Sequence, residues 1–331
     1  MSEPVLRVVD LNVQFSVRRG IWGRHVLFDA LADIDLEVRA PEALGVVGES
    51  GSGKSTLARV ILGLISPNAG RILWDGRNVA QLARAQRQQL RRDLQIVFQN
   101  TLASLDPRMT VEEIVAEPLR VHRGDLDHSG RAQAVRQFLK RVGLAQELAS
   151  RYPHELSGGQ CQRVAIARAM ILVPRLLVCD EAVSALDVSI QAQIIDLLRT
   201  LKTEHSLALV FISHNLAVVR ELCDRVLVLY LGRMMELAPA LALYAKPLHP
   251  YTRGLIEAVP IPDPELQPLR LTRIMRGEPP SALTPPPGCV FQTRCAHAIE
   301  ICRREVPAWE AAGQGRHVAC HRWKELSQAP S

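Results

Sequence analysis

Aromatic residues make up only 4% of the 331 residues, and they are not interleaved with the arginines as a base-stacking platform requires. That argues against nucleic acid as the partner, despite a net charge of +6. Long apolar runs are also missing. "LALVFISH" (207–214) is among the longest and stops at a histidine, far short of the ~18 residues that suggest a bilayer span. The opening residues, "MSEPVLRVVDLNVQF", carry an early acid and no apolar stretch before a small-residue cleavage site, so they do not read as a secretory signal. A cytoplasmic chain that does not cross a membrane is expected, one without disulfides. Its seven cysteines then read as packing residues, metal ligands or catalytic groups. No internal repeat is visible.

What is present is the composition of a globular protein, 47% apolar and 22% charged, with length for about two domains of ~150 residues. The positive charge, mostly arginine, suits a polyanionic ligand or an anionic surface. Residues 5–17 and 33–39 alternate as half-buried strands do. "EALGVVGESGSGKSTLARVILGLI" (42–65) reads as an apolar strand, a glycine-rich turn and a helix with Leu57, Ile61, Leu62 and Ile65 on one face. "RAQAVRQFLKRVGL" (131–144) predicts an amphipathic helix burying Val135, Phe138, Leu139 and Val142 and ending at Gly143. "RLLVCDEA" (175–182) and "ALVFISHN" (208–215) look like buried strands, with helices at 188–203 and from 216 onward. This alternation implies an α/β fold with a parallel sheet covered on both faces. Residues 100–160 interrupt it and read as an inserted helical subdomain. After about residue 239 the chain becomes proline-rich, which predicts a smaller unit with little regular structure.

"GESGSGKS" (48–55) matches G-x-x-x-x-G-K-[ST] in full, between a predicted strand and a predicted helix. Gly48, Gly51 and Gly53 let backbone N–H groups turn inward and ring a polyphosphate, and the helix N-terminus adds its dipole. Lys54 offers a point charge to the β and γ phosphates, and Ser55 a hydroxyl to Mg²⁺. Glu49, Ser50, Ser52 and Thr56 complete the candidate loop. "LLVCDE" (176–181) brings Asp180 to a strand end, where it would hold Mg²⁺, and beside it Glu181 could polarise an attacking water. Together these define a site for a nucleoside triphosphate and Mg²⁺, which the resemblance below implies is ATP.

"LSGGQCQRVAIARA" (156–169) resembles the signature motif of ATP-binding-cassette (ABC) ATPases. The resemblance extends over residues 5–239 in six motifs in the family's order. It implies a P-loop (RecA-like) core in which Ser157, Gly158, Gly159 and Gln160 meet the γ-phosphate held by the other subunit of a dimer. Gln99 in "IVFQN" matches the Q-loop glutamine, which joins Ser55 and Asp180 at Mg²⁺ and senses the transporter. Asp187 in "SALD" matches the D-loop at the dimer interface, and His214 in "FISHN" the switch histidine, which with Glu181 forms the catalytic pair. Ala182 departs from the family's usual proline. The aromatic that stacks on adenine is open among Phe15, His25 and Phe28, because "SVRRGIWGRHVLF" (16–28) looks like an insertion there.

Three further segments resemble the ATPases of oligopeptide, dipeptide and nickel importers: "QNTLASLDPRMTVEEIVAEPL" (99–119), "HPYTRGLIEAVPIPDP" (249–264) and the cysteine-bearing end. The stretch 84–99 is similar as well. The domains implied are an ABC ATPase over 1–240, with its helical subdomain at about 100–165, and a C-terminal oligopeptide-transporter-type domain over 241–331. The partners implied are a second, homologous ATPase subunit in a heterodimer, two transmembrane permease subunits and an extracytoplasmic solute-binding protein. The place implied is the cytoplasmic face of a bacterial inner membrane. A clamp acting on DNA or the ribosome is the competing reading, but the long coiled-coil insertion and second cassette that would mark it are not seen.

Cys289, Cys295, Cys302 and Cys320 are spaced C-x5-C-x6-C-x17-C, which fits neither zinc ribbons nor compact ferredoxin runs. Buried thiols, a structural zinc (with His297, His317 or His321 as substitute ligands) and a four-cysteine iron–sulfur cluster all remain open on spacing. The family resemblance implies the [4Fe-4S] cluster. Cys161, Cys179 and Cys223 read as packing residues.

Overall fold

The computed structural model describes residues 3–18, 25–184, 186–259 and 277–328. Parts of two segments noted above, 16–28 and 249–264, lie outside the described residues. In chain order come strands β1 (Leu6–Arg18), β2 (His25–Val38) and β3 (Ala43–Val47), helix α1 (Lys54–Ile61), strands β4 (Ala69–Trp74) and β5 (Arg77–Asn78), helix α2 (Arg84–Asp93) and strand β6 (Leu94–Val97). A helical run follows, α3 (Thr101–Ser104), α4 (Val111–His122), α5 (His128–Arg141) and α6 (Gly158–Met170). Then come β7 (Leu176–Asp180), α7 (Val188–Glu204), β8 (Ala208–Ile212), α8 (Leu216–Leu222), β9 (Arg225–Tyr230) and β10 (Arg233–Pro239). The rest forms α9 (Ala240–Ala245), α10 (Pro250–Glu257), α11 (Glu300–Arg304), β11 (Glu310–Gly313), β12 (Arg316–Val318) and α12 (Trp323–Gln328). No helix among the described residues is long and apolar enough to cross a membrane.

The chain packs as two compact units. The first takes the chain up to Leu6, Val38–Ala43 and Leu73–Ser213. Within it β6, β7 and β8 run parallel, with Val97 opposite Cys179 and Asp180 opposite Ile212. Every residue of β7 and β8 is buried, as parallel strands covered on both faces require. Helix α7 contributes Ile194, Ile195, Leu198 and Leu201 to this core. Helix α5 starts before the predicted 131 because the Asp127 carboxylate caps the Gly130 N–H at 2.7 Å. It stops where Gly143 takes a φ of 74°.

The second unit takes Arg7–Glu37, Leu44–Ile72 and the chain from His214 onward. Here the expected parallel sheet gives way to a mixed one, ordered β11-β12-β10-β9-β3. Only β3 and β9 run parallel; β9 turns into β10 through Leu231 and Gly232, at φ 45° and 75°, a two-residue hairpin. Two further expectations are corrected. Helix α1 ends at Ile61, with Leu62 as its cap and Gly63 at φ 68°, so Leu62 and Ile65 lie beyond its apolar face. The tail after 239 is not short of regular structure, since β12 adds to the sheet beside β10, with Glu236 opposite Val318. The Glu236 carboxylate, fully buried, accepts the Leu248 and His249 N–H groups and pairs with Arg316 at 3.0 Å. That carboxylate ties tail to sheet by satisfying backbone donors that would otherwise be buried without partners.

Candidate nucleotide site

In the second unit, β3 is buried throughout and delivers the chain into the glycine loop, after which α1 begins. Gly48 has φ 153°, and a Cβ there would lie 2.2 Å from the Leu229 carbonyl oxygen. Gly53 caps α1 at φ 102° with no side-chain cap bond, and a Cβ on it would lie 2.8 Å from the Ala30 oxygen. Only glycine fits such contacts at these backbone angles, and the loop they shape leads directly into the N-terminus of α1. Lys54 is 6% exposed; its Nζ donates to the carbonyl oxygens of Gly48 (2.8 Å) and Glu49 (2.9 Å). The hairpin glycine Gly232 donates its N–H to the Ser52 oxygen at 3.0 Å, so sheet and loop are tied. Ser50, Gly51, Ser55 and Thr56 take their expected places in this strand–loop–helix. His214 is exposed and lies just past the end of β8.

In the first unit, Asp180 ends β7 and is 7% exposed. Glu181 follows at φ 49°, its N–H donating to the Ile212 oxygen at 3.0 Å. Its carboxylate Oε2 accepts the Nε2–H of exposed Gln99 at 2.8 Å. Gln99, Asp180 and Glu181 are thus assembled in one unit, although 82 residues separate Gln99 from Glu181. Ser157 caps α6 in a reciprocal box, its Oγ accepting from Gln160 N–H at 3.3 Å and its own N–H donating to Gln160 Oε1 at 2.9 Å. Gly158 is exposed, as a phosphate receptor needs, but Gly159 is buried. A Cβ on Gly159 would lie 2.8 Å from Ile190 Cγ2, so this glycine serves close packing of α6 on α7. Asp187 opens α7 without a side-chain capping bond, and the preceding turn is held by Gln191 Nε2, which donates to the oxygens of Val183 and Leu186.

The loop is also gripped from the tail, which no local sequence pattern signals. The Glu49 N–H donates to the Tyr251 hydroxyl at 2.9 Å, and its carboxylate accepts both Nη groups of Arg294, at 2.7 and 3.0 Å. Of the aromatics proposed for adenine, Phe15 and Phe28 sit with centroids 6.0 Å apart, and His25 Nδ1 is 2.8 Å from Ser16 Oγ.

Cys289, Cys295, Cys302 and Cys320 line one cavity with His297 and His321; His317 is instead stacked on Trp309. Among the described residues no three His, Cys, Asp or Glu side chains are placed to hold one metal ion. The four-cysteine metal site expected from the sequence is therefore not assembled as a ligand set. Burial raises the Cys295 thiol and pushes Cys289 up to about 12 and Cys320 up to about 11. Cys161 and Cys179 are buried in α6 and β7, and Cys223 is buried at the end of α8, outside helix and strand, all three as packing residues are.

Comparison with known proteins accounts for both halves of the chain. Residues 31–184 match the ABC transporter family, and residues 235–302 match the C-terminal region of oligopeptide/dipeptide transporters. The chain is 46% identical to the oligopeptide transport ATP-binding protein OppF of Haemophilus influenzae, over 96% of this chain and 97% of that one. It is 49% identical to the di/tripeptide transport ATP-binding protein DppF of Pseudomonas aeruginosa, over 96% and 98%. Among solved structures, the dimeric bacterial ABC transporter cassette MJ0796 is similar, with a TM-score of 0.63 and 30% identity, over 71% of this chain and 98% of that one. CbiO1 of Clostridium perfringens, part of an ABC transporter complex, also gives a TM-score of 0.63, with 29% identity over 74% and 92%. Similarity at this level along nearly the whole of both chains places this protein in the ABC transporter family, among the ATP-binding subunits of the oligopeptide/dipeptide type.

Proposed function

We propose that the chain is the ATP-hydrolysing subunit that powers import of peptides or related small solutes across a bacterial inner membrane. What carries the reading is that one chain joins a phosphate-cradling loop to an oligopeptide/dipeptide transporter C-terminal region. The cassette is assigned to 1–240, with a helical subdomain near 100–165, and the appended domain to 241–331. The backbone N–H groups of residues 48–56 receive the phosphates, and Lys54 adds its charge to them. Ser55, Asp180 and the amide oxygen of Gln99 are hard oxygen donors of the kind that suit Mg²⁺, and they are assigned to hold it. Bound there, the ion would neutralise phosphate charge as it develops. Gln99 orients the Glu181 carboxylate, which takes the proton of the attacking water, and His214 helps position that water. Ser157, Gly158, Gly159 and Gln160, with Asp187, are assigned to act across the dimer on nucleotide held by the second ATPase subunit.

The assembly proposed adds two permease subunits and an extracytoplasmic solute-binding protein, with this chain peripheral on the cytoplasmic face. The test is uptake of a labelled peptide by cells or vesicles carrying the full system. ATP-driven uptake that disappears when this chain is deleted supports the reading. Isolation of the chain with ribosomes or DNA, and unchanged uptake, would replace it with the soluble clamp.

The four tail cysteines are proposed to hold a [4Fe-4S] cluster, with zinc as the alternative. Four thiols around one cavity are a soft donor set, suited to either. Binding would have to expel the protons that burial favours on Cys289 and Cys320. Protein purified anaerobically is expected to carry about four irons per chain, an assay count taken from the cluster's composition, and a broad visible absorption. Equimolar zinc without iron would exclude the cluster.

A further inference from the structure

Glu49 is the second residue of the glycine loop, and it is held at three points. Its carbonyl oxygen accepts from Lys54 Nζ at 2.9 Å. Its N–H donates to the Tyr251 hydroxyl at 2.9 Å, and its carboxylate takes a two-pronged bond from Arg294. Arg294 is 7% exposed at its side chain and Glu49 24%, so this pair is shielded, unlike an ordinary surface ion pair. The guanidinium also lies 5.8 Å from the Tyr230 ring and 6.0 Å from the Phe291 ring. Tyr251 is fully buried, with ring centroids 4.7 Å from Tyr230 and 5.3 Å from Phe291. The aromatic cluster fixes both partners of Glu49 before any ligand arrives. Both fall within 235–302, the stretch matching the transporter C-terminal region.

A carboxylate in a loop that receives phosphates is an electrostatic liability, because its charge has the ligand's sign. Arg294 neutralises that charge and fixes the residue that bears it. We propose that Arg294 and Tyr251 are positioning residues for the nucleotide loop: through Glu49 they hold its backbone in the phosphate-receiving shape and cancel a repulsive charge, so that the cysteine-bearing tail sets nucleotide affinity. The proposal rests on the nucleotide reading given above. The tail is already anchored on the sheet through β12 and Glu236, so its grip on the loop is additional to what anchoring needs.

The test is equilibrium binding of MgATP to the full-length chain. Arg294→Gln leaves Glu49 uncompensated and is expected to weaken binding about 10-fold. Adding Glu49→Gln removes the stranded charge, and the double variant is expected to recover to within about threefold of the parent. Tyr251→Phe keeps the ring in its cluster, loses one hydrogen bond and is expected to cost about threefold. A purely structural tie lowers the melting temperature without this rescue, so a double variant binding no better than Arg294→Gln would overturn the proposal. Affinities of Arg294→Gln and Tyr251→Phe within twofold of the parent would overturn it as well. If Arg294→Gln does not fold, Tyr251→Phe decides alone. Lys54→Ala separates the two readings. If it abolishes binding while the tail variants bind within twofold of the parent, the proposal alone fails; if it binds as the parent does, the nucleotide reading fails and takes the proposal with it.

Discussion

Glu181→Gln is expected to bind MgATP as tightly as the parent while turnover falls by about 10²–10⁴-fold, the range that a positioned general base contributes. The replacement is close to isosteric, so the Glu181 N–H bond to Ile212 and the backbone at φ 49° need not change. A glutamine can still accept the Gln99 Nε2–H that now holds the carboxylate at 2.8 Å. What it cannot do is take a proton from water. Binding and chemistry therefore separate: phosphate release is lost, and nucleotide remains on the protein. On the proposed role of the signature residues in a partner's site, uncleaved nucleotide is also expected to prolong the closed dimer, visible by size-exclusion chromatography with MgATP. Undiminished phosphate release would remove Glu181 from the base role and leave Gln99 holding a carboxylate of structural importance only.

How far the sequence disclosed this site depends on the range of the interactions that build it. The loop 48–55 is legible because strand, turn and helix follow within some twenty residues, and each glycine answers to a local backbone need. The same holds for Ser157 and Gln160, whose capping box spans one helical turn. Gly159 shows the limit. Its motif reads as part of a phosphate receptor, but its burial against Ile190 depends on how α6 meets α7, which a short motif does not encode. The tail was the least legible part. Strand β12 has three residues, too few to show a period of two, and its partner β10 lies some 80 residues earlier. The two bonds that hold Glu49 span 202 and 245 residues. Nothing in the local pattern of either segment specifies them, and only the packed aromatic cluster of Tyr230, Tyr251 and Phe291 brings them together.

Lys54→Ala is expected to weaken MgATP and MgADP alike by at least about 100-fold, because a charge-assisted bond to phosphate contributes ~1.5–3 kcal/mol and the lysine serves more than one oxygen. Its present partners show how it is stored. Burial at 6% exposure holds the ammonium against the carbonyls of Gly48 and Glu49, dipoles that solvate it until phosphate arrives. Truncation removes the charge and also the strut across the loop, so both attraction and shape are lost. Lys54→Arg tests which matters more, since it keeps the charge but carries a planar fork where the present ammonium fits between two carbonyls. Recovery in the arginine variant would show that charge dominates; continued loss would show that the fit of the ammonium does. Isothermal titration with each nucleotide reads this directly, and the contrast with Glu181→Gln is the sharper check. One variant must fail to bind and the other must bind and fail to turn over, and a pair of variants that failed in the same way would mean that the loop and the strand end do not divide the work as their chemistry requires.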